Sequence, residues 1–173
     1  DPEALNGFEK LLDDPDPWFR EKALEAIEKW AASKDLVLIE KLSQSRDNTR
    51  RLLAARIAIR AGGAGQIILG KLSSDDEPNI RLAAWKARIN SDESSIAEAI
   101  VVEDRAVRRA VAQRVSSLER VDSNIILQLL SDESETVRAS AIGIIEGDSW
   151  TYNEEIENRL NELIAESSGE IKA

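Results

Sequence analysis

The sequence predicts an all-α protein, an α-solenoid of stacked antiparallel helix pairs, on three observations. One segment recurs five times at intervals of about thirty residues. A shorter apolar stretch precedes each copy, and the junction between the two carries Asp, Glu or Ser, in places with Pro. That junction is the chemistry of a helix start. Helix pairs repeated at this period bury their apolar faces only against neighbouring pairs, which is the architecture of a solenoid.

Taken in order, the first copy is DPWFREKALEAIEKW from Asp16, preceded by ALNGFEKLL and the acidic turn Asp13-Asp14-Pro15. Pro17 falls in the first helical turn, where no N–H is needed. The second copy is DNTRRLLAARIAIRA from Asp47, after LVLIEKL. The third is EPNIRLAAWKARINS from Glu77, after QIILGKL, with Pro78 in its first turn. The fourth is DRAVRRAVAQRVSSL from Asp104, after IAEAIVV, and the fifth is SETVRASAIGIIEGD from Ser134, after NIILQLL. Four residues past each opening residue stands an arginine: Arg20, Arg51, Arg81, Arg108 and Arg138, spaced by 31, 30, 27 and 30. Arg50 is the alternative aligned arginine of the second copy. Three residues further lie the small or branched apolar residues Ala23, Ala54, Ala84, Val111 and Ala141, the small ones letting helices approach closely. The fourth copy departs, with Val102-Glu103 where its neighbours carry Ser-Asp, and with the shortest spacing. The expected pairs are 2–32, 34–61, 65–90, 94–120 and 122–147, then a half-repeat over 153–166, in one domain of residues 1–166. Residues 167–173 are expected to form a flexible tail.

The turn pattern Leu-Leu-x-Asp followed by x-Val-Arg-x-x-Ala, as in Leu129 to Ala141, resembles the HEAT-like repeats of the short, phycobilisome-lyase type. The resemblance covers about residues 2–147. It implies a right-handed superhelix of antiparallel pairs, with the second helix of each pair lining the concave surface.

Composition narrows the chemistry. Cys, His and Met are all absent from the 173 residues. Without thiol or imidazole there is no disulfide, no Cys/His zinc site, no Cys nucleophile and no Ser-His pair, and the commonest general acid/base is missing. A non-enzymatic protein with no cofactor and no metal is the expectation. Absence of Met is expected of a processed chain or of a segment with neighbouring sequence upstream. No run of about eighteen apolar residues and no basic-then-apolar N-terminus is apparent, so neither a membrane span nor a signal peptide is expected, and a cytoplasmic location follows as the expectation.

Several motifs read better as structure than as chemistry. Gly65-Gln-Ile-Ile-Leu-Gly70-Lys71 matches the start of a phosphate-binding loop, but Leu72 stands where Ser or Thr should follow, and the preceding segment is helical. The carboxylates Asp13/Asp14/Asp16, Asp75/Asp76/Glu77 and Asp132/Glu133/Glu135 lack the alternating ligands, central glycine and terminal glutamate of a calcium loop. At helix starts they serve capping and the helix dipole. The five aligned arginines read as a structural ladder to neighbouring turns. Trp85, between Arg81 and Arg88, reads as core, and Trp18 as the exposed tryptophan.

Charge distribution carries the functional expectation. The chain has 23 Lys+Arg against 33 Asp+Glu, a net charge of −10. Residues 1–29 carry 9 acids and 4 bases, residues 30–130 carry 13 and 16, and residues 131–173 carry 11 and 3. A mildly basic middle therefore lies between acidic ends. On the second helices, positions four apart lie on one face. In the middle copies that row reads Asn48, Leu52, Arg56, Arg60, then Pro78, Leu82, Lys86, Asn90, then Arg105, Arg109, Gln113, Ser117. The row is too polar for a core and includes leucines that solvation does not require. Leu52, Arg56, Arg60, Leu82, Lys86, Asn90, Arg105, Arg109 and Gln113 are the candidate partner-binding residues, for a protein partner that is acidic and partly apolar. Nucleic acid or phosphate in the same groove is the alternative, weakened by the absence of aromatic residues from the row. A further alternative, from the resemblance, is a non-catalytic or chaperone-like subunit of a bilin-lyase-type enzyme. Another HEAT-like enzyme, deoxyhypusine hydroxylase, binds iron through His-Glu motifs, which a chain without histidine cannot supply.

Overall fold

Asp16, Asp47, Asp104 and Asp122 start their helices by one device. Each has an extended backbone, and its carboxylate accepts the N–H of the residue two further on (Trp18, Thr49, Ala106 and Asn124) at 2.8–2.9 Å. One of the orphan donors of each helix is thereby satisfied. Ser134 departs from this expectation: its hydroxyl lies 3.0 Å from Thr136 Oγ1 and makes no cap bond.

A computed structural model describes residues 2–146, 150 and 153–170, and all the regular structure among them is helical. The chain divides into two compact units, residues 1–91 and 92–173, where the sequence suggested one continuous domain. The first unit holds α1 (Pro2–Leu11), α2 (Pro17–Trp30), α3 (Leu36–Ser43), α4 (Asn48–Ile57), α5 (Gly62–Leu72) and α6 (Pro78–Ser91). Here α1 packs on α2, α3 on α4 and α5 on α6, while α2, α4 and α6 pack side by side in that order. Ile27, Ile39, Ile57, Leu69 and Ile80 are fully buried, each contributing about 1.5–3 kcal/mol by transfer from water. Ala23, Ala54 and Ala84, three residues past the aligned arginines, have no exposed surface, so neighbouring helices meet close to their backbones.

The second unit holds α7 (Ser95–Ala99), α8 (Arg105–Val115), α9 (Ser123–Leu130), α10 (Glu135–Ile145) and α11 (Glu154–Glu170). α7 packs on α8, α9 on α10, α8 on α10, and α9 on α11. Val111, Ile126, Leu129, Leu130, Ala141 and Ile156 form its buried interior. α7 has only five residues, which accounts for the short spacing before Arg108. α11 runs on to Glu170, four residues beyond the expected half-repeat, so the expected tail begins inside a helix. Ser167–Gly169 continue its polar composition, and residues 171–173 lie outside the described residues.

Two glycines shape the first unit. Gly62 has φ 60° and ψ −134°, a left-handed conformation where a side chain would be strained, and it redirects the chain between a 3-10 turn over Ala58–Ala61 and α5. Gly65 packs so tightly that an added Cβ would collide with the Ala58 carbonyl oxygen. The expectation that no stretch is long and apolar enough to cross a membrane needs correcting. Asn48–Leu72 passes by length and composition, with an 18-residue window of mean hydropathy 1.4. It is not one continuous helix but α4 and α5, broken at the 3-10 turn and Gly62, with α4 against α3 and α6.

The residue before each aligned arginine reports on stacking. Ile80, Val107 and Val137 are buried at this register position, whereas Phe19 is 42% exposed. Trp18, 57% exposed, meets the Phe19 ring edge-on at 5.0 Å. Trp85 is buried as expected, with the Arg88 guanidinium 4.3 Å from its ring centroid. Core position and cation–π contact are therefore both present.

Candidate interaction groove

The aligned arginines act on the backbone before they act on side chains. In four of the five, Nη1 donates to the carbonyls six and five residues earlier, and in Arg51 to the one six residues earlier. Arg20 reaches Asp14 and Pro15 at 2.7 and 2.9 Å, Arg81 reaches Asp75 and Asp76 at 2.8 and 2.9 Å, and Arg138 reaches Asp132 and Glu133 at 2.8 and 3.0 Å. Arg108 makes the same bonds to Val102 and Glu103 at 2.8 and 2.7 Å. The fourth copy therefore tolerates Val102, because the latch needs only its carbonyl. Arg51 reaches the Ser45 carbonyl at 2.9 Å, which settles the alignment: Arg51 is the latch, and Arg50 instead holds the Leu12 carbonyl at 2.6 Å and Asp13 at 2.7 Å.

Two arginines extend to the following turn. Arg51 forks onto Asp75 at 2.7 and 3.1 Å, and Arg108 onto Asp132 at 2.6 and 3.2 Å. The hydrogen bond from Arg51 holds the Asp75 carboxyl below the ordinary carboxylate range despite its burial, and Arg50 does the same for exposed Asp13. Asp14, Asp75 and Asp132 also accept the N–H two residues on, at 2.8–2.9 Å. These acidic turns serve capping and latching. Gly65 through Lys71 lie wholly within α5, so no phosphate-cradling loop forms there.

Arg56, Arg60, Lys86, Asn90, Arg105, Arg109 and Gln113 are exposed, and Leu52 and Leu82 are half-buried. In the first unit, Leu52 and Arg56 of α4 and Leu82 and Lys86 of α6 line an open groove of about 540 Å³. Asn79 and Ala83 complete it. The row spacing missed these two; Asn79 lies one helical turn before Leu82, a signal the sequence did contain. Arg56 sits 3.4 Å from Glu28, with both side chains about half exposed. Lys86 has no ion pair among the described residues.

Arg60 belongs elsewhere. Its Nη1 donates to the Glu28 and Ala31 carbonyls at 2.5 and 3.0 Å, closing the C-terminal end of α2, and it does not line the groove. Asn90 does not line it either. In the second unit, Arg105, Arg109 and Gln113 form an exposed row along α8, and Arg105 and Arg109 have no ion pair among the described residues. At the flanking copies the row is exposed over Pro17, Glu21, Glu25 and Lys29, and over Glu135, Ala139 and Gly143; Gly147 lies outside the described residues.

No family model matches the chain, and no curated protein matches it by sequence. Its fold is similar to the X-ray structure of YibA from Escherichia coli, with a TM-score of 0.64 at 18% identity over 89% of this chain. The chain spans 62% of that protein's chain. At this identity the likeness concerns the fold alone.

Proposed function

We propose that the chain is an α-solenoid of five HEAT-like helix pairs and a terminal half-repeat, serving as a non-enzymatic scaffold for an acidic, partly apolar protein partner. Contact falls on the second helices of the pairs, the face that the HEAT-like resemblance makes concave. The supporting observation is the groove of the first unit: half-buried Leu52 and Leu82 beside exposed Arg56 and Lys86. Apolar floor and cationic rim together suit a helix or peptide carrying carboxylates around an apolar side chain. The aligned arginines and Arg60 are engaged by backbone carbonyls, so Arg56, Lys86, Arg105 and Arg109 are the stripe cations left to meet a partner.

Nucleic acid is the competing reading, favoured by the lack of ion pairs at Lys86, Arg105 and Arg109. It is weakened by the absence of an aromatic residue from the row on which a base could stack, since the exposed Trp18, Phe19 and Trp30 lie outside it. The test is affinity capture at two salt concentrations with the chain and with a variant carrying Arg56→Glu, Lys86→Glu and Arg109→Glu. Loss of a protein partner with circular dichroism unchanged supports the proposal; unchanged capture overturns it. Retention of DNA or RNA that falls steeply with salt favours the competing reading.

A further inference from the structure

We infer that the occupant of the first-unit groove is a bipolar helical segment, lying across α2, α4 and α6 with its acidic end over Arg56 and Lys86 and a basic end over α2. The inference rests on the binding reading above and adds the partner's charge order and direction.

The three helices run parallel. Near the start of α4, the Asn48 amide reaches Glu77 before α6 at 3.2 Å, while beyond its end Arg60 reaches the C-terminal carbonyls of α2. Equivalent register positions therefore form rows that cross the helices. One row, a residue past each aligned arginine, reads Glu21, Leu52, Leu82; the next, one turn on, reads Glu25, Arg56, Lys86. Both glutamates are exposed, and Glu25 has only Lys22 of its own helix as a partner, at 2.7 Å. Across these two rows the charge thus changes from negative on α2 to positive on α4 and α6, and Leu52 and Leu82 lie one turn before Arg56 and Lys86 on the same two helices. Neighbouring packed helices lie about 8–10 Å apart, so the three span roughly 16–20 Å. That is the length of about twelve helical residues. A uniformly acidic segment of that length would set its far end against Glu21 and Glu25. A segment with acids and apolar residues toward one end and Lys or Arg at the other meets its complement in one direction only, and reversing it opposes like charges at both ends.

The test is selection of a random twelve-residue peptide display library on the intact chain, followed by anisotropy titration of the enriched peptides. Expected are sequences with acids and apolar residues toward one end and bases toward the other. Their affinity should fall about tenfold on Arg56→Glu with Lys86→Glu, the loss and reversal of two exposed pairs, and several-fold on Glu21→Lys with Glu25→Lys. A peptide with its two charged ends exchanged should bind the chain carrying all four substitutions. Peptides weakened only by the Arg56/Lys86 substitutions leave the acidic-partner reading standing and overturn the bipolar one. Peptides indifferent to both pairs, or no enrichment, overturn both. All four side chains are exposed, and circular dichroism checks that each variant folds.

Discussion

Arg108 donates from Nε to Asp132 at 2.6 Å, and its side chain and that of Asp132 keep only 8% and 6% of their surface exposed. The same guanidinium donates from Nη1 to the Val102 and Glu103 carbonyls, and from Nη2 to Glu133 at 2.9 Å. One side chain thereby closes its own turn and fastens the next. Planar fork geometry is what permits this, and a lysine cannot reproduce it.

Arg108→Ala should therefore be the most damaging ladder substitution, because it strips the partner from a buried carboxylate. The expected loss is about 3–5 kcal/mol. Arg20→Ala, which removes only the two carbonyl bonds of a part-exposed turn, should cost about 1–2 kcal/mol. Denaturant unfolding of the two variants measures the difference. Equal losses would mean that the fork to Asp132 adds nothing to the latch.

The Arg51–Asp75 fork makes stability depend on acid. The folded Asp75 carboxyl titrates below its ordinary value of 3.8, so in the acid range the unfolded chain binds more protons. Stability then rises with pH there. The contribution is complete above the ordinary value and is lost as pH falls through the lower folded one. Asp75→Asn should lower stability at neutral pH and flatten the decline below about pH 4. Unfolding midpoints measured from pH 7 to pH 2 test this; an unchanged acid limb would assign the decline to other carboxylates.

Much of this architecture is legible in sequence because the determinants are local. Asp16, Asp47 and Asp104 cap the residue two further on, and the alanines three past four of the five arginines mark the close approaches. The groove is less legible. Leu52, Arg56, Leu82 and Lys86 fall together because α4 and α6 are parallel neighbours, which a register argument captures. Arg60 occupies the same row yet turns back to α2, since a long side chain reaches carbonyls that spacing along one helix cannot reveal. Arg50 and Arg51 are adjacent and chemically identical, and only the direction of their helix decides that one latches its own turn while the other holds Leu12. The division at residue 91 leaves no mark in the repeat pattern.

Gly65→Ala and Gly70→Ala separate packing from phosphate chemistry in the segment that mimics a nucleotide loop. A methyl at Gly65 collides with backbone at Ala58, which cannot yield as a flexible side chain can, so a loss of about 1–3 kcal/mol is expected. At Gly70, within α5, a methyl meets nothing within 4 Å, and replacing helical glycine should stabilise by about 0.5–1 kcal/mol. Thermal unfolding distinguishes the two. A harmless Gly65→Ala would show that α5 can shift away from the 3-10 turn.

Arg60 tests how far the cationic row is one surface. Helix α2 ends at Trp30, and its last carbonyls lack partners within the helix. Arg60 supplies one cation to two of them, Glu28 and Ala31, where positive charge also meets the negative end of the helix dipole. Arg60→Ala should then cost about 1–2 kcal/mol in unfolding free energy. Arg56→Ala, which breaks only a 3.4 Å contact between half-exposed groups, should cost less than about 1 kcal/mol. For a groove ligand the order reverses: affinity should fall with Arg56→Ala and hold with Arg60→Ala, measured where both variants are fully folded. If Arg60→Ala weakens binding as much as Arg56→Ala without loss of stability, its guanidinium leaves α2 to join the ligand, and the whole row acts together.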